Sequence, residues 1–391
     1  MKFNILSLII IITFSYHSKA QTPVKLSTGQ FGFIEGPVWD RTDNIYFSDI
    51  TGRIVEKYSV SNNTFTTAFN IPKPARTNGL MLDKDLNLIV CDFRDGNVTK
   101  RNVSGTILET YATGILNAND LCIDKKEGVY VTSPNSSKVY YISSSPTRTL
   151  TVIDDTLSSP NGVIISSDGK SLLVSDTDTY SIYKFDIDPT TGFITNKIVF
   201  ATLEDTETNP SDSNAKRSLA DGMALDTNDN LYVANKKSIQ IFNSVGVRTN
   251  TIAFAENPTN CTFGGTTLST LYVTTPKDLY RIEFPGVTGF QHPFNLPEVS
   301  LSIPENLKNK PIFNVFPNPI NNHKVTVSVG NKSITEVLIY NELGKKLGIC
   351  NFIKTSNTIE VTLNKKLKNS TYFLAIKTDK GKTYNNKIIL Q

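Results

Sequence analysis

The chain runs to 391 residues, longer than one ordinary domain and of the right size for a repeat array or two folded units. Its net charge of +4 conceals a division: residues 21–300 carry 24 Lys and Arg against 31 Asp and Glu, a balance of −7, whereas residues 301–391 carry 14 against 5, a balance of +9. An acidic body argues against nucleic acid and is compatible with a cation or a neutral sugar-like ligand, while the lysines of the tail, unaccompanied by Arg, read as a solvated surface.

Residues 1–20 read as a signal peptide: Lys2 supplies a positive start, Ile5 to Phe14 is too short to span a membrane, and Ser18-Lys19-Ala20 offers small residues for cleavage before Gln21. No other apolar run reaches membrane-spanning length, so the mature chain is expected outside the cytoplasm, at the cell surface or in the medium, and as a monomer. Cys91, Cys122, Cys261 and Cys350 lack metal-type pairing and sit among apolar strand residues. They read as buried free thiols, with a Cys91–Cys122 disulfide as the alternative in an exported protein. His17, His292 and His323 are the only histidines, and none falls within the repeats described next. Ser-His-Asp hydrolysis, His-rich zinc chemistry and a histidine general base are thereby excluded from the repeat region.

From Glu35 onward one unit recurs. A residue with a side-chain oxygen opens a short apolar strand at Glu35, Asn78, Asn119, Asn161, Asp221 and Asn260, at spacings of 43, 41, 42, 60 and 39 residues. A second strand then closes on a polar residue, at Asp49, Asp92, Ser133, Asp176, Asn235 and Thr274. A period near 40 built from short alternating strands marks a propeller blade rather than a helical repeat. Runs such as Leu88-Ile89-Val90 and Leu231-Tyr232-Val233 suit second strands packed between neighbouring blades. The expected fold class is all-β, a six-bladed β-propeller over residues 21–284, with residues 23–33 holding the strand that closes the ring. Asp40, Asp83, Asp124 and Asp226 each precede a turn and are expected to cap it.

First strands line the channel of a propeller, so the six opening residues ring one mouth of it. Two carboxylates and four amides, without sulfur or imidazole, form a hard-oxygen environment suited to one divalent cation: Ca²⁺ foremost, with Mg²⁺ or Mn²⁺ as alternatives. The long fourth spacing holds an insertion, Glu204–Ser218, that enters blade five beside Asp221 and reads equally as a surface loop or as a flap over the site. Residues 285–312, with five prolines and no strand rhythm, read as a linker. Short strand-like segments over residues 313–391 (Lys324–Val329, Glu336–Tyr340, Thr358–Leu363, Tyr372–Lys377 and Tyr384–Leu390) predict a small β-sandwich.

Glu35-Gly36-Pro37-Val38-Trp39, Asn117-Ala118-Asn119-Asp120, Pro160-Asn161-Gly162, Ala220-Asp221-Gly222-Met223 and Cys261-Thr262-Phe263-Gly264-Gly265 resemble the successive motifs of the regucalcin/gluconolactonase family. The resemblance implies that Glu35, Asn161 and Asp221 bind the metal, which in that family is calcium or zinc, and that Asn119 completes the metal shell or binds substrate. It also implies hydrolysis of a sugar lactone or related ester. Asn117 stands where some relatives carry a substrate-binding Arg, and Ser133 where many carry Asp, so the substrate set is altered. The tail, with Phe316-Pro317-Asn318-Pro319 and Ile339-Tyr340-Asn341-Glu342-Leu343-Gly344-Lys345, is similar to a type IX secretion sorting domain and implies that machinery as a partner.

The expected function is an exported, divalent-metal-dependent lactonase with Asp221 as general base and Asn119, Asn78 and Asn260 as substrate-binding residues. Two rival readings are a non-catalytic surface propeller that binds a sugar or peptide around a structural metal, and a strictosidine-synthase-like propeller that uses a channel Glu without metal.

Overall fold

The structure, a computed structural model, describes residues 21–204, 206–297, 313–341 and 346–391. The signal peptide therefore lies outside the described residues. The chain divides into two compact units, Met1–Glu298 and Val299–Gln391.

The first unit is the six-bladed propeller. Blade one runs outward from the axis as Ile34–Trp39, Asn44–Asp49, Ile54–Ser59 and Thr64–Asn70, each strand antiparallel to the next. Blades two to five repeat this order, with inner strands Thr77–Leu82, Leu121–Ile123, Pro160–Ile165 and Met223–Asp226. Blade six supplies only Asn260–Gly264, Thr270–Thr274 and Leu279–Glu283 from its own stretch of chain; Val24–Lys25 adds the outermost strand and closes the ring. Asp278 secures that closure by pairing with Lys25 at 2.7 Å and accepting from Ser27 Oγ at 2.8 Å. Second strands such as Leu88–Asp92 and Leu231–Asn235 are buried along their whole length, because each lies inside its own sheet and is covered by blades on both faces. Outer strands are half exposed.

The turn-capping aspartates behave as expected: Asp40 Oδ1 accepts from the amides of Thr42, Asp43 and Asn44, and Asp226 Oδ1 from those of Asn228 and Asn230. All four cysteines are free and buried. Among the described residues no helix is long and apolar enough to cross a membrane.

The stretch after Phe284 departs from its reading as a linker. Gly289–Phe290 pairs antiparallel with Leu225 and Asp226, adding a fifth strand on the axial side of blade five. The next residues then fold across the axis. Gln291 Nε2 donates to the Trp39 carbonyl at 2.7 Å, His292 Nε2 donates to the Ile165 carbonyl at 2.6 Å, and Leu296 is buried in the core between blades three, four and five. Prolines at 285, 293 and 297 remove amide donors and break strand rhythm, yet leave the segment free to pack as an irregular plug. A chain ending at Phe284 is therefore expected to be less stable than one ending at Glu298 by roughly 3–5 kcal/mol, from the lost Leu296 packing and two carbonyls left without donors. Urea unfolding of the two truncated chains measures the difference, and equal midpoints would exclude a structural role for the plug.

The second unit is a β-sandwich. One sheet orders Asn314–Phe316, Lys324–Ser328, Thr358–Thr362 and Asn351–Lys354; the other orders Lys346–Ile349, Ile334–Asn341, Ser370–Thr378 and Thr383–Leu390. Alternate residues such as Val325, Val327, Ile359, Val361, Leu374 and Ile376 face the shared core.

Candidate functional site

Inner strands converge on the axis, and a hydroxyl from the neighbouring blade fixes the start of three of them. Ser48 Oγ donates to the Asn78 carbonyl at 2.6 Å, Thr132 Oγ1 donates to the Asn161 carbonyl, and Ser175 Oγ donates to the Asp221 carbonyl at 2.9 Å. Each hydroxyl stands one residue before the polar end of a second strand. The pattern ties the backbone of a ring residue to the blade before it, so the ring is set by the sheets rather than by loops.

Close approach demands glycine just below the ring. A Cβ at Gly222 would lie 1.9 Å from the Asn260 side chain, and one at Gly36, where φ is +58°, would lie 2.6 Å from the Asn78 carbonyl. Blades three and six break this rule, blade six with Cys261. Asp120 occupies the position filled by Gly36, Gly79, Gly162 and Gly222 in blades one, two, four and five. Its carboxylate reaches under the ring, where Asn260 Nδ2 donates to Asp120 Oδ2 at 3.4 Å and the Leu121 amide donates to Oδ1 at 2.9 Å. The signal was present in the sequence as the one charged residue in a glycine column, and ring-position reasoning passed over it.

The structure brings the six ring residues together around the axis in two groups. On one side, Asn78 Nδ2 donates to Asn119 Oδ1 and Asn119 Nδ2 donates to Asn161 Oδ1, so three amides form a chain across blades two, three and four. On the other, Glu35, Asp221 and Asn260 surround Asp120. Burial and repulsion from Asp120 push the Glu35 carboxyl up to about 8, against the donated Gly36 amide at 2.8 Å and hydrogen bonding from Asn260. Burial pushes Asp120 up to about 6, and burial together with Glu35 and Asp120 raises Asp221 well above the ordinary carboxylate range. Among the described residues, the ion pairs include no Lys or Arg partner for any of these three carboxyls. Carboxyls raised by burial, and in Glu35 and Asp221 also by a neighbouring carboxylate, with no cationic side chain to balance them, are a donor set that fits a divalent cation. Among the described residues no group of three His, Cys, Asp or Glu side chains is placed to hold a metal by itself, so a cation here would need the ring amides as well.

Below the ring the channel is a small blind cavity. Val38, Leu80, Val163 and Met223 form its walls, and Phe290 and His292 its floor. His292 thus lies against the channel although it follows the last repeat. Burial pushes its ring down to about 4, and its Nε2–H is committed to Ile165, so it stays neutral and occupied. Access to the carboxylates is from the ring mouth. There the insertion forms a hairpin, Glu207–Asn209 with Asp212–Arg217, tied to the rim by Asn209 Nδ2 donating to the Asp178 carbonyl at 3.3 Å and by Lys236–Glu207 at 3.3 Å. Asn117, at the position of the altered substrate set, is held by Asn135 Nδ2 at 2.9 Å, and Ser133 Oγ donates to the Leu116 carbonyl.

Fold and site together define a six-bladed propeller with an oxygen-lined axial centre. Residues 33–277 match the family described as SMP-30/Gluconolactonase/LRE-like region, and the chain belongs to that family. Residues 314–391 match the secretion system C-terminal sorting domain, which marks the chain for export to the cell surface or beyond. Regucalcin from Gallus gallus is 26% identical over 278 residues, 62% of this chain and 83% of its own. Gluconolactonase from Zymomonas mobilis is 26% identical over 298 residues, 67% of this chain and 81% of its own. The solved structure of a gluconolactonase from Xanthomonas campestris aligns with a TM-score of 0.58 at 24% identity, covering 67% of this chain and 89% of that one.

Proposed function

We propose that this protein is an exported lactonase that depends on a divalent cation and hydrolyses a sugar lactone or related cyclic ester. The observation that carries the reading is the cluster of Glu35, Asp120 and Asp221 carboxyls, without a cationic partner among the described residues, at an axial ring completed by amides. Glu35, Asn161 and Asp221 would hold the cation, and the oxygen-only donor set suits Ca²⁺ best, with Mg²⁺, Mn²⁺ or Zn²⁺ as the other ions to try. When bound, such an ion supplies polarisation of the ester carbonyl and a more acidic water.

Asp221 serves as general base. It takes a proton from the attacking water as the new C–O bond forms and returns it to the ring oxygen as the lactone C–O bond breaks, so a lactone and a water become one hydroxy acid. Asn119 and Asn78 each spend one N–H on the amide chain and retain a second to orient the substrate oxygens. Asn260 donates to Asp120 and Glu35, and its part is to hold those carboxylates in place. Asp120 lies one residue further into the channel and sets the charge that a cation has to balance. The type IX machinery would recognise the C-terminal sandwich and carry the propeller out.

The test is hydrolysis of a panel of aldonolactones and simple γ- and δ-lactones by the chain from Gln21 onward, followed by acid release, in chelator and after return of Ca²⁺, Mg²⁺, Mn²⁺ or Zn²⁺. Turnover that chelator removes and one ion restores is the expected result. Stoichiometric cation binding without turnover of any lactone would instead favour the non-catalytic propeller, a reading that the engaged Asn117 in place of an Arg supports.

A further inference from the structure

One residue outside the ring bonds both the Asn161 side chain and the backbone just before Asp221. Thr177 follows the second strand of blade four, Ser171–Asp176, and makes four hydrogen bonds. Its amide donates to the Ser159 carbonyl at 3.0 Å, and its carbonyl accepts from the Leu219 amide at 3.2 Å. Its hydroxyl donates to the Ala220 carbonyl at 2.7 Å and accepts from Asn161 Nδ2 at 3.0 Å. Blade four is thereby clamped beside Asn161 and blade five beside Asp221.

The chemistry of the hydroxyl dictates a direction. A backbone carbonyl can only accept, so the single O–H of Thr177 is spent on Ala220 and only lone pairs remain for Asn161. Asn161 must then present its NH₂ to Thr177, which turns Oδ1 toward Asn119. Asn119 in turn presents its NH₂ to that oxygen and its own Oδ1 to Asn78. A side-chain amide is nearly symmetric in shape, and what decides which end is oxygen is its hydrogen-bond partner. Three amides in sequence therefore take their orientation from one hydroxyl.

We propose that Thr177 is a positioning residue that fixes the Asn161 amide with its oxygen available to the cation, and through it orients Asn119 and Asn78 for substrate; this rests on the metal-dependent reading given above. Thr177→Val keeps the shape and removes both hydroxyl bonds. The Asn161 NH₂ then loses its acceptor, and the amide is free to turn a hydrogen-bearing nitrogen toward the cation, which cannot ligate.

Calorimetric titration of the full chain from Gln21 with Ca²⁺ alone tests this. Thr177→Val is expected to weaken Ca²⁺ binding about tenfold or more, the usual effect of losing a partner that orients a ligand, while Thr177→Ser stays within about threefold of the parent. In an Asn161→Asp background both ends of the side chain are oxygen and orientation no longer matters, so adding Thr177→Val is expected to change Ca²⁺ affinity by only about twofold. Unchanged Ca²⁺ affinity in Thr177→Val, or an equal loss in the Asn161 and Asn161→Asp backgrounds, would overturn the proposal; the latter result would mean that Thr177 merely braces the backbone. Absence of Ca²⁺ binding by the parent chain, with Asp221→Asn and Glu35→Gln indistinguishable from it, is a different failure and removes the cation reading itself. Thr177→Ala makes the same comparison if the valine variant does not fold.

Discussion

Asp221→Asn is expected to lower kcat/KM for the lactone substrate by about a thousandfold while leaving the fold intact, a loss in the range for a positioned general base. The replacement keeps the size and planarity of the side chain, and its amide oxygen can still accept from the Gly222 backbone, which supports the carboxylate in the native chain. What disappears is the negative charge and the site that accepts the proton of water. Glu35→Gln removes charge from the same cluster without removing that acceptor, so its main effect is expected on Ca²⁺ affinity, with activity partly recovered at high Ca²⁺. The contrast matters because both variants also relieve repulsion: Glu35 and Asp120 are the charges that push Asp221 up. In cation-free buffer near neutral pH both variants should therefore melt no lower than the parent. Parallel kinetics and thermal melts check this, and an Asp221→Asn protein that retains parental kcat/KM would remove Asp221 from the chemistry.

The ring was readable in the sequence because the propeller repeats one register. A side chain with oxygen at the same place in six units can be aligned without knowing any distance, and the structure does bring Glu35, Asn78, Asn119, Asn161, Asp221 and Asn260 to one axis. Asp120 was hidden by the same regularity. Its counterparts in four of the other five blades are glycine for lack of space, and the meaning of a carboxylate there appears only when the facing Asn260 is in view. Thr177 and the hydroxyls of Ser48, Thr132 and Ser175 act across blades, between residues 29 to 46 positions apart in the chain, which local pattern cannot connect. The plug was misread for a simpler reason. Phe290, Phe294 and Leu296 fall on alternate positions as in a strand, but Pro293 and Pro297 interrupt the run, so the segment reads as irregular chain. In the sandwich, Lys346–Ile349 and Asn351–Lys354 escaped notice because edge strands need no alternation; Ile349 and Ile353 are each 68% exposed.

The carboxyl cluster also makes stability depend on pH in a direction opposite to ordinary acid denaturation. Folding raises the Glu35 carboxyl from its ordinary 4.5 to about 8 and the Asp120 carboxyl from 3.8 to about 6, with Asp221 displaced the same way. Between the unfolded and folded values the native protein holds protons that the unfolded chain has released, so stability is greatest below the ordinary carboxylate range and falls as pH rises, through about 6 for Asp120 and about 8 for Glu35. One pKa unit corresponds to about 1.4 kcal/mol, so even half of the Glu35 displacement is roughly 2 kcal/mol, or about 4–8 °C in Tm for a domain of this size. The cation-free protein is thus expected to melt several degrees lower at about pH 8.5 than at about pH 5, and Asp120→Asn should flatten the dependence by removing one charge from the cluster. Ca²⁺ reverses the sign. It binds the ionised form, so at 100 times its Kd it adds about 2.7 kcal/mol where the carboxyls are already charged and less where protons have to be displaced first. The gain in Tm on adding Ca²⁺ should therefore grow with pH, and binding at neutral pH should release protons, detectable as a heat that depends on the ionisation enthalpy of the buffer. A cation-free Tm that rises from pH 5 to 8.5, with a Ca²⁺ effect independent of pH, would mean that the three carboxyls are already ionised in the folded chain and that the axis does not need a cation to balance them.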